Sequence, residues 1–132
     1  MHQLSFRAPH KYNSDGGVTV PVVLRSGSKI IRFPAKAHTR ASYCIFKREH
    51  GEALGLDVEG GTPQRISTVT GAFSTFGHFV TLSVLDYDFD VMGYFAADPY
   101  PRNVLGQVGW IDRVRFGLIH YERELYVSQY DE

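Results

Sequence analysis

Apolar and polar residues alternate in short runs along most of the chain, and turn formers separate the runs. Val18 to Leu24 (VTVPVVL) is rich in β-branched residues and predicts a strand. Pro21 marks an edge position or a bulge within it, because proline has no N–H to give to a ladder. Ser26-Gly27-Ser28 is a turn signal, and Lys29 to Phe33 predicts the returning strand. The clearest strand pattern covers residues 65–85, where two β-rich arms flank Gly71 and predict a hairpin with its tip near Thr70 to Phe73. Asp90 to Ala96 predicts another strand, ended by the two prolines of DPYPRN, and Arg115 to His120 with Glu124 to Ser128 predict a last hairpin around Tyr121-Glu122. Helical periodicity is scarce. Ile45, Phe46, Ala53 and Leu54 fall on one helical face with Gly55 as a stop, and Gly109 to Val114 predicts a second short helix. The sum is a mainly β domain, a barrel or sandwich with one or two short helices, over residues 18–132. Residues 1–17 are polar and turn-rich and read as a loose N-terminal arm.

Composition narrows the function classes. Fourteen basic and 14 acidic residues give zero formal net charge, so no overall charge field recommends nucleic acid or an anionic membrane as a partner. No apolar run has the length of a signal peptide or of a membrane span, and one cysteine, Cys44, makes no disulfide framework. The expected location is the cytoplasm. The six histidines show no zinc-motif spacing, and Asp86-Tyr87-Asp88-Phe89-Asp90 starts like a calcium loop but has Val91 where the glycine belongs and Ala97 where the bidentate glutamate belongs. That acidic stretch therefore reads as a solvated turn or strand face with its aromatic rings turned inward, and neither a metal nor another cofactor is expected. Glu59-Gly60-Gly61-Thr62 lacks the lysine of a phosphate loop and reads as a turn.

One order of features carries more. A strand leads into His38-Thr39-Arg40-Ala41-Ser42, a glycine-tipped hairpin follows, and Asn103-Val104-Leu105-Gly106 comes later, ahead of Gln107-Val108-Gly109-Trp110. This order resembles the retropepsin-like (retroviral-type) aspartic proteases in their bacterial single-domain form. That family carries Asp-Thr/Ser-Gly-Ala after a strand, a flap hairpin, and a hydrophobic-hydrophobic-Gly motif that supports the catalytic loop. The resemblance implies a closed β-barrel. It makes Thr68, Val69, Thr70, Gly71 and Ala72 the flap over a peptide-binding cleft, and Val104, Leu105 and Gly106 the loop support. It also implies a homodimer, since one such chain supplies one aspartate and hydrolysis needs two carboxylates sharing a proton across the two-fold axis.

The chain departs from that pattern at two positions. His38 stands at the position of the aspartate and Arg40 at that of the glycine, while Thr39 is kept. No acidic residue is followed by Ser-Gly or Thr-Gly, so no other register restores the motif. An imidazole can act as a base but cannot share a proton as a carboxyl pair does. Arginine brings a Cβ, a long side chain and a fixed charge where the family has room for backbone alone. The resemblance thus implies an aspartic-peptidase homologue that is inactive as written. The alternative is a peptide-binding module that uses the flap-covered cleft, with Arg40 favouring an acidic ligand.

Overall fold

The computed structural model describes residues 8–11, 18–38, 41–68, 71–100, 102–106, 108, 114–119 and 124–129. The elements, in chain order, are β1 (Ala8–Lys11), β2 (Thr19–Ser26), β3 (Lys29–Ala37), β4 (Ile45–Phe46), α1 (Arg48–Ala53), a 3-10 turn (Val58–Gly60), β5 (Thr62–Thr68), β6 (Gly71–Val84), β7 (Tyr87–Ala96), β8 (Val104–Leu105), β9 (Val114–Ile119) and β10 (Glu124–Gln129).

Seven strands form one mixed sheet in the order β2-β3-β8-β4-β7-β6-β5, and a further pairing of β2 with β6 closes six of them into a barrel. The expected closed barrel is therefore present. β6 makes the closure feasible by its length. Its last turn-ward stretch, Thr81 to Val84, pairs with β2 (Arg25↔Thr81 to Val22↔Val84), while Gly71 to Gly77 pair on with β5. Its other edge follows β7 from Thr75 to Val84. One strand thus belongs both to the barrel and to a hairpin that projects from it.

Alternation fixes which face goes inward. In β2, Val20, Val22 and Leu24 are fully buried while Thr19, Pro21 and Arg25 are exposed. They meet Phe33, Ala35, Val80, Leu82, Val84, Val91, Phe46 and Phe95 in a single core. Pro21 lies directly opposite Pro34. Both are exposed, and they sit where β2 has not yet reached its pairing with β6 and β3 has not yet met β8. A missing N–H costs least there. Gly93 leaves room for Phe46, since a Cβ there would come within 2.9 Å of the Phe46 ring.

Several elements differ from the sequence reading. Ile45 and Phe46 belong to a strand and not to the helix. Both are buried, and they pair with Tyr94 and Phe95 of β7, which outweighs the helical spacing they share with Ala53 and Leu54. The helix is only Arg48–Ala53. It ends as Gly55 predicts: Gly55 takes φ of 76° and its N–H bonds to the Glu52 carbonyl, while the Leu56 N–H reaches back to Gly51. Strand β7 begins at Tyr87, three residues before the expected start, and turns Tyr87 inward while Asp88 and Asp90 face solvent. Within the stretch read as a loose arm, Ala8–Lys11 is a strand that pairs with β10, which pairs in turn with β9. Residues 109–113 of the second expected helix lie outside the described residues, and Val114 begins β9.

Candidate active-site cleft

The loop between β3 and β4 owes its course to β8. Those two strands are neighbours in sequence, yet β8 lies between them, parallel to β3 (Lys36↔Val104, Ala37↔Leu105) and antiparallel to β4 (Ile45↔Val104). Residues 38–44 must therefore cross the end of β8. The backbone holds them there. The His38 N–H donates to the Leu105 carbonyl at 2.9 Å, the Ala41 N–H donates to the His38 carbonyl at 3.1 Å, and the Val108 N–H donates to the Ser42 carbonyl at 2.9 Å. Tyr43 and Val108 add a parallel bridge.

Gly106 lies at the closest approach. A Cβ there would meet the carbonyl oxygens of Ala41, at 2.8 Å, and of Tyr43, nearer still. Only glycine lets the chain pass under the loop at this distance. Val104-Leu105-Gly106 thus packs directly behind residues 38–43, with Leu105 fully buried.

Asn103, just before this segment, ties three elements together. Its side-chain carbonyl accepts from the Lys47 N–H at 2.9 Å, its amide faces His50 Nε2 at 3.3 Å, and its backbone carbonyl accepts from the Lys36 N–H at 2.9 Å. Asn103 is 7% exposed, so these bonds satisfy polar groups that water reaches poorly.

A cavity of about 1130 Å³ opens between this loop and the projecting hairpin β5–β6. The loop contributes His38, Ala41, Ser42 and Tyr43; the hairpin contributes Arg65, Ile66, Ser67, Thr68, Gly71, Ala72 and Phe73; Ile45 and Val104 form the floor, and Tyr100 and Arg102 one side. The hairpin is extended up to its tip, where Thr68 faces Gly71 and the Thr68 hydroxyl donates to the Gly71 carbonyl at 3.0 Å. The Phe73 ring stacks on Tyr100, with centroids 4.8 Å apart and planes 25° apart, so the hairpin leans on the segment that leads into β8. Below the loop, Tyr43 packs on Tyr94 at 4.8 Å; burial pushes the Tyr94 phenol above its ordinary value, with Tyr43 adding to the effect.

Of the residues singled out from sequence, His38 sits half-buried at the end of β3, and with Thr68, Gly71, Ala72 and Val104 it lines the cleft. Leu105 and Gly106 lie behind the loop. Thr39, Arg40, Val69 and Thr70 fall outside the described residues. The described arms of the hairpin pair as far as Thr68↔Gly71, so Ala72 and Phe73 of the expected tip lie in the second arm. Arg65, Phe73, Tyr100 and Arg102 were missed as cleft residues. Two signals pointed to them: Arg65 and Phe73 lie in the arms of the expected flap, and Tyr100 and Arg102 immediately precede the Val104-Leu105-Gly106 motif. Among the described residues, every titratable side chain on the cleft wall is a histidine, arginine or tyrosine, and none is a carboxylate. Among the described residues no group of three histidine, cysteine or acidic side chains could hold a metal ion, and no helix is long and apolar enough to cross a membrane.

No family model matches the chain, and no curated protein matches it. Solved structures do. A retropepsin-like aspartic protease from Rickettsia conorii superposes with a TM-score of 0.70 at 15% identity, over 96% of this chain and 100% of that one. The EIAV protease in complex with the inhibitor HBY-793 superposes with a TM-score of 0.58 at 20% identity, over 74% of this chain and 88% of that one. At such identities the likeness is one of architecture, and it agrees with the closed barrel, the projecting hairpin and the segment threaded behind the 38–43 loop: the chain has the retropepsin-like fold.

Proposed function

We propose that this chain is a retropepsin-like domain that does not hydrolyse peptides by the aspartic mechanism and that its flap-covered cleft holds an extended peptide. The observation that carries the reading is the chemistry of the cleft wall. His38 stands at the end of β3, where the strand gives way to the loop, and no aspartate or glutamate lines the cleft among the described residues. The aspartic mechanism needs two carboxyl groups about 3 Å apart that share one proton, one drawing a proton from the attacking water and the other donating a hydrogen bond. A pair of imidazoles brought together across an axis resists double protonation and has no second oxygen to accept from a neighbour. Arg40, at the position of the family's glycine, adds a fixed charge to the motif.

The peptide-binding half of the proposal rests on the open cleft. Its volume of about 1130 Å³ suits several residues of an extended chain. Strand β5 ends the sheet, so its outer backbone edge has no strand partner among the described residues. An extended peptide can be held by strand addition without any catalytic group. We further propose that a second copy of the chain completes the cleft, that residues 18–132 are the functional domain, and that the protein works in the cytoplasm on peptide or protein ligands.

A peptidase assay from about pH 3 to about pH 7, with pepstatin as control, tests the first half, because the carboxyl pairs of such sites titrate in that span. The expected result is no pepstatin-sensitive cleavage by the unaltered chain. Cleavage that pepstatin abolishes would overturn the proposal. The double substitution His38→Asp with Arg40→Gly is expected to restore measurable cleavage, since the loop and its support are otherwise in place. Sedimentation of both proteins reports whether the pair of Arg40 side chains opposes dimerisation.

A further inference from the structure

The cleft carries charge of one sign although the chain carries none. Arg65 enters from β5 and Arg102 from the segment before β8. Both are exposed. Neither guanidinium meets a carboxylate among the described residues. Arg48 shows what a structural arginine does in the same fold: it donates to the Ala97 carbonyl at 2.9 Å and to Glu59 at 2.8 Å, and lies 3.7 Å from Glu52. Among the described residues no carboxylate lines the cleft, and Glu49 is the one that lines the groove beside it. Asp88 and Asp90 lie on the solvent face of β7, and Asp90 accepts from Thr81 at 2.9 Å.

Arg102 also lines a second cavity, of about 680 Å³, together with Lys36 and Lys47. Lys47 has only a loose ion pair there, 3.9 Å from Glu49. Arg102 therefore stands between the cleft and a groove beside it, and basic residues run from the hairpin side of the cleft to that groove. The rest of the wall carries no formal charge and is partly apolar: Ile66 lies opposite Phe73 on the hairpin, Phe73 stacks on Tyr100, and Val104 forms the floor, with Ser42, Ser67 and Thr68 beside them.

Resting on the reading of the cleft as a peptide site, we infer that its ligand is an acidic extended segment, with carboxylates set on Arg65 and Arg102 and apolar side chains between them. Planar guanidinium groups hold carboxylates through two parallel hydrogen bonds. Burying a peptide carboxylate in this cleft meets no opposing acid, whereas a basic peptide would meet like charge from both sides. An extended peptide fits better than single-stranded nucleic acid because the open edge of β5 offers backbone hydrogen bonds, which an oligonucleotide cannot use in register.

Fluorescence anisotropy with the full chain tests this. Four labelled probes of equal length serve: a peptide of alternating glutamate and valine, its glutamine isostere, its lysine counterpart, and an oligothymidylate. The glutamate peptide is expected to bind about tenfold more tightly than the glutamine isostere at about 50 mM salt, with the preference shrinking at about 500 mM. Arg65→Gln and Arg102→Gln are each expected to weaken it about threefold or more, while Arg32→Gln, the same charge change outside both cavities, leaves it unaltered. Thermal unfolding of the variants checks that the fold persists. Equal affinity for the glutamate and glutamine peptides, or loss of affinity in Arg32→Gln as large as in the cleft variants, overturns the charge assignment and leaves the cleft as a peptide site. Tighter binding of the oligothymidylate than of the glutamate peptide overturns the peptide class. Binding of none of the four at about 1 mM protein overturns the reading of the cleft itself, and the inference with it.

Discussion

Gly106→Ala should be among the most damaging single-methyl changes in this protein. The added Cβ would sit 2.8 Å from the Ala41 carbonyl oxygen, where ordinary contact begins at 3.4 Å, and still nearer the Tyr43 carbonyl. Neither obstacle can rotate away, because both are backbone atoms held by neighbours: Val108 bonds to Ser42 between them, and Tyr94 bonds to the Cys44 carbonyl just beyond. Relief requires the 38–43 loop to lift from β8, at the expense of the His38–Leu105 or Val108–Ser42 bond. Overpacking a well-filled site costs about 1–3 kcal/mol, and an immovable backbone places this case near the top of that range. For a domain of this size that is a fall in Tm of about 6–12 °C. Gly60→Ala is the control. A Cβ there would meet Asp57 Oδ2 at the same 2.8 Å, but Asp57 is an exposed side chain free to swing aside. Its expected effect is within about 0.5 kcal/mol. Urea unfolding of the two variants and the parent gives both values. A Gly106→Ala change as small as that of Gly60→Ala would refute the close threading of this segment behind the loop.

Three further outcomes follow from the same contacts. Asn103→Ala strands the Lys47 N–H and removes the partner of His50, and should cost about 1–3 kcal/mol in denaturant unfolding. His50 is stacked on Phe33 at 4.1 Å, and burial lowers its pKa below the ordinary 6.5, with Glu49 pulling the other way. The unfolded chain then binds the proton more readily, so this residue's contribution is steady above the unfolded value and turns unfavourable as pH falls below it; Tm measured from pH 7.5 to about 5.5 should fall, and less steeply in His50→Gln. Leu85 and Asp86 take φ of 49° and 72° in the two-residue turn between β6 and β7, so Asp86→Gly should raise stability by about 0.5 kcal/mol, and a loss would count against the turn geometry.

Local chemistry made much of this fold legible, and non-local pairing hid the rest. Pro21 signalled an edge because the missing N–H is a property of one residue, and Gly55 signalled a helix end because a left-handed residue closes the last turn wherever it occurs. Ile45 and Phe46 misled for the opposite reason. Two buried apolar residues fit a helical face as well as a strand, and only β7 and β8, distant in sequence, decide between them. The same holds for the closure of the barrel. Nothing between Val22 and Arg25 announces that they pair with residues near 80, because β-branched strands accept many partners. At the cleft, the order of His38, the hairpin and Val104-Leu105-Gly106 could be read from the chain; Arg65 and Arg102 had only their places beside the hairpin and that motif to mark them, a weak signal since arginines in a strand arm and in a proline-rich link are usually solvated.

The frame of the cleft is independent of the cleft's own side chains for a physical reason. Backbone-to-backbone bonds set the loop beside β8: His38 donates to Leu105 and Val108 to Ser42, with Ala41 to His38 inside the loop. Such bonds do not depend on which side chain position 38 bears, so an imidazole there leaves them intact. Gly106 is different, because its lack of a side chain is what permits the approach. Substitution is therefore tolerated on the side of the loop that faces the cleft and penalised on the side that faces β8. A fold built this way can exchange the groups that act on a ligand while holding the geometry that receives it.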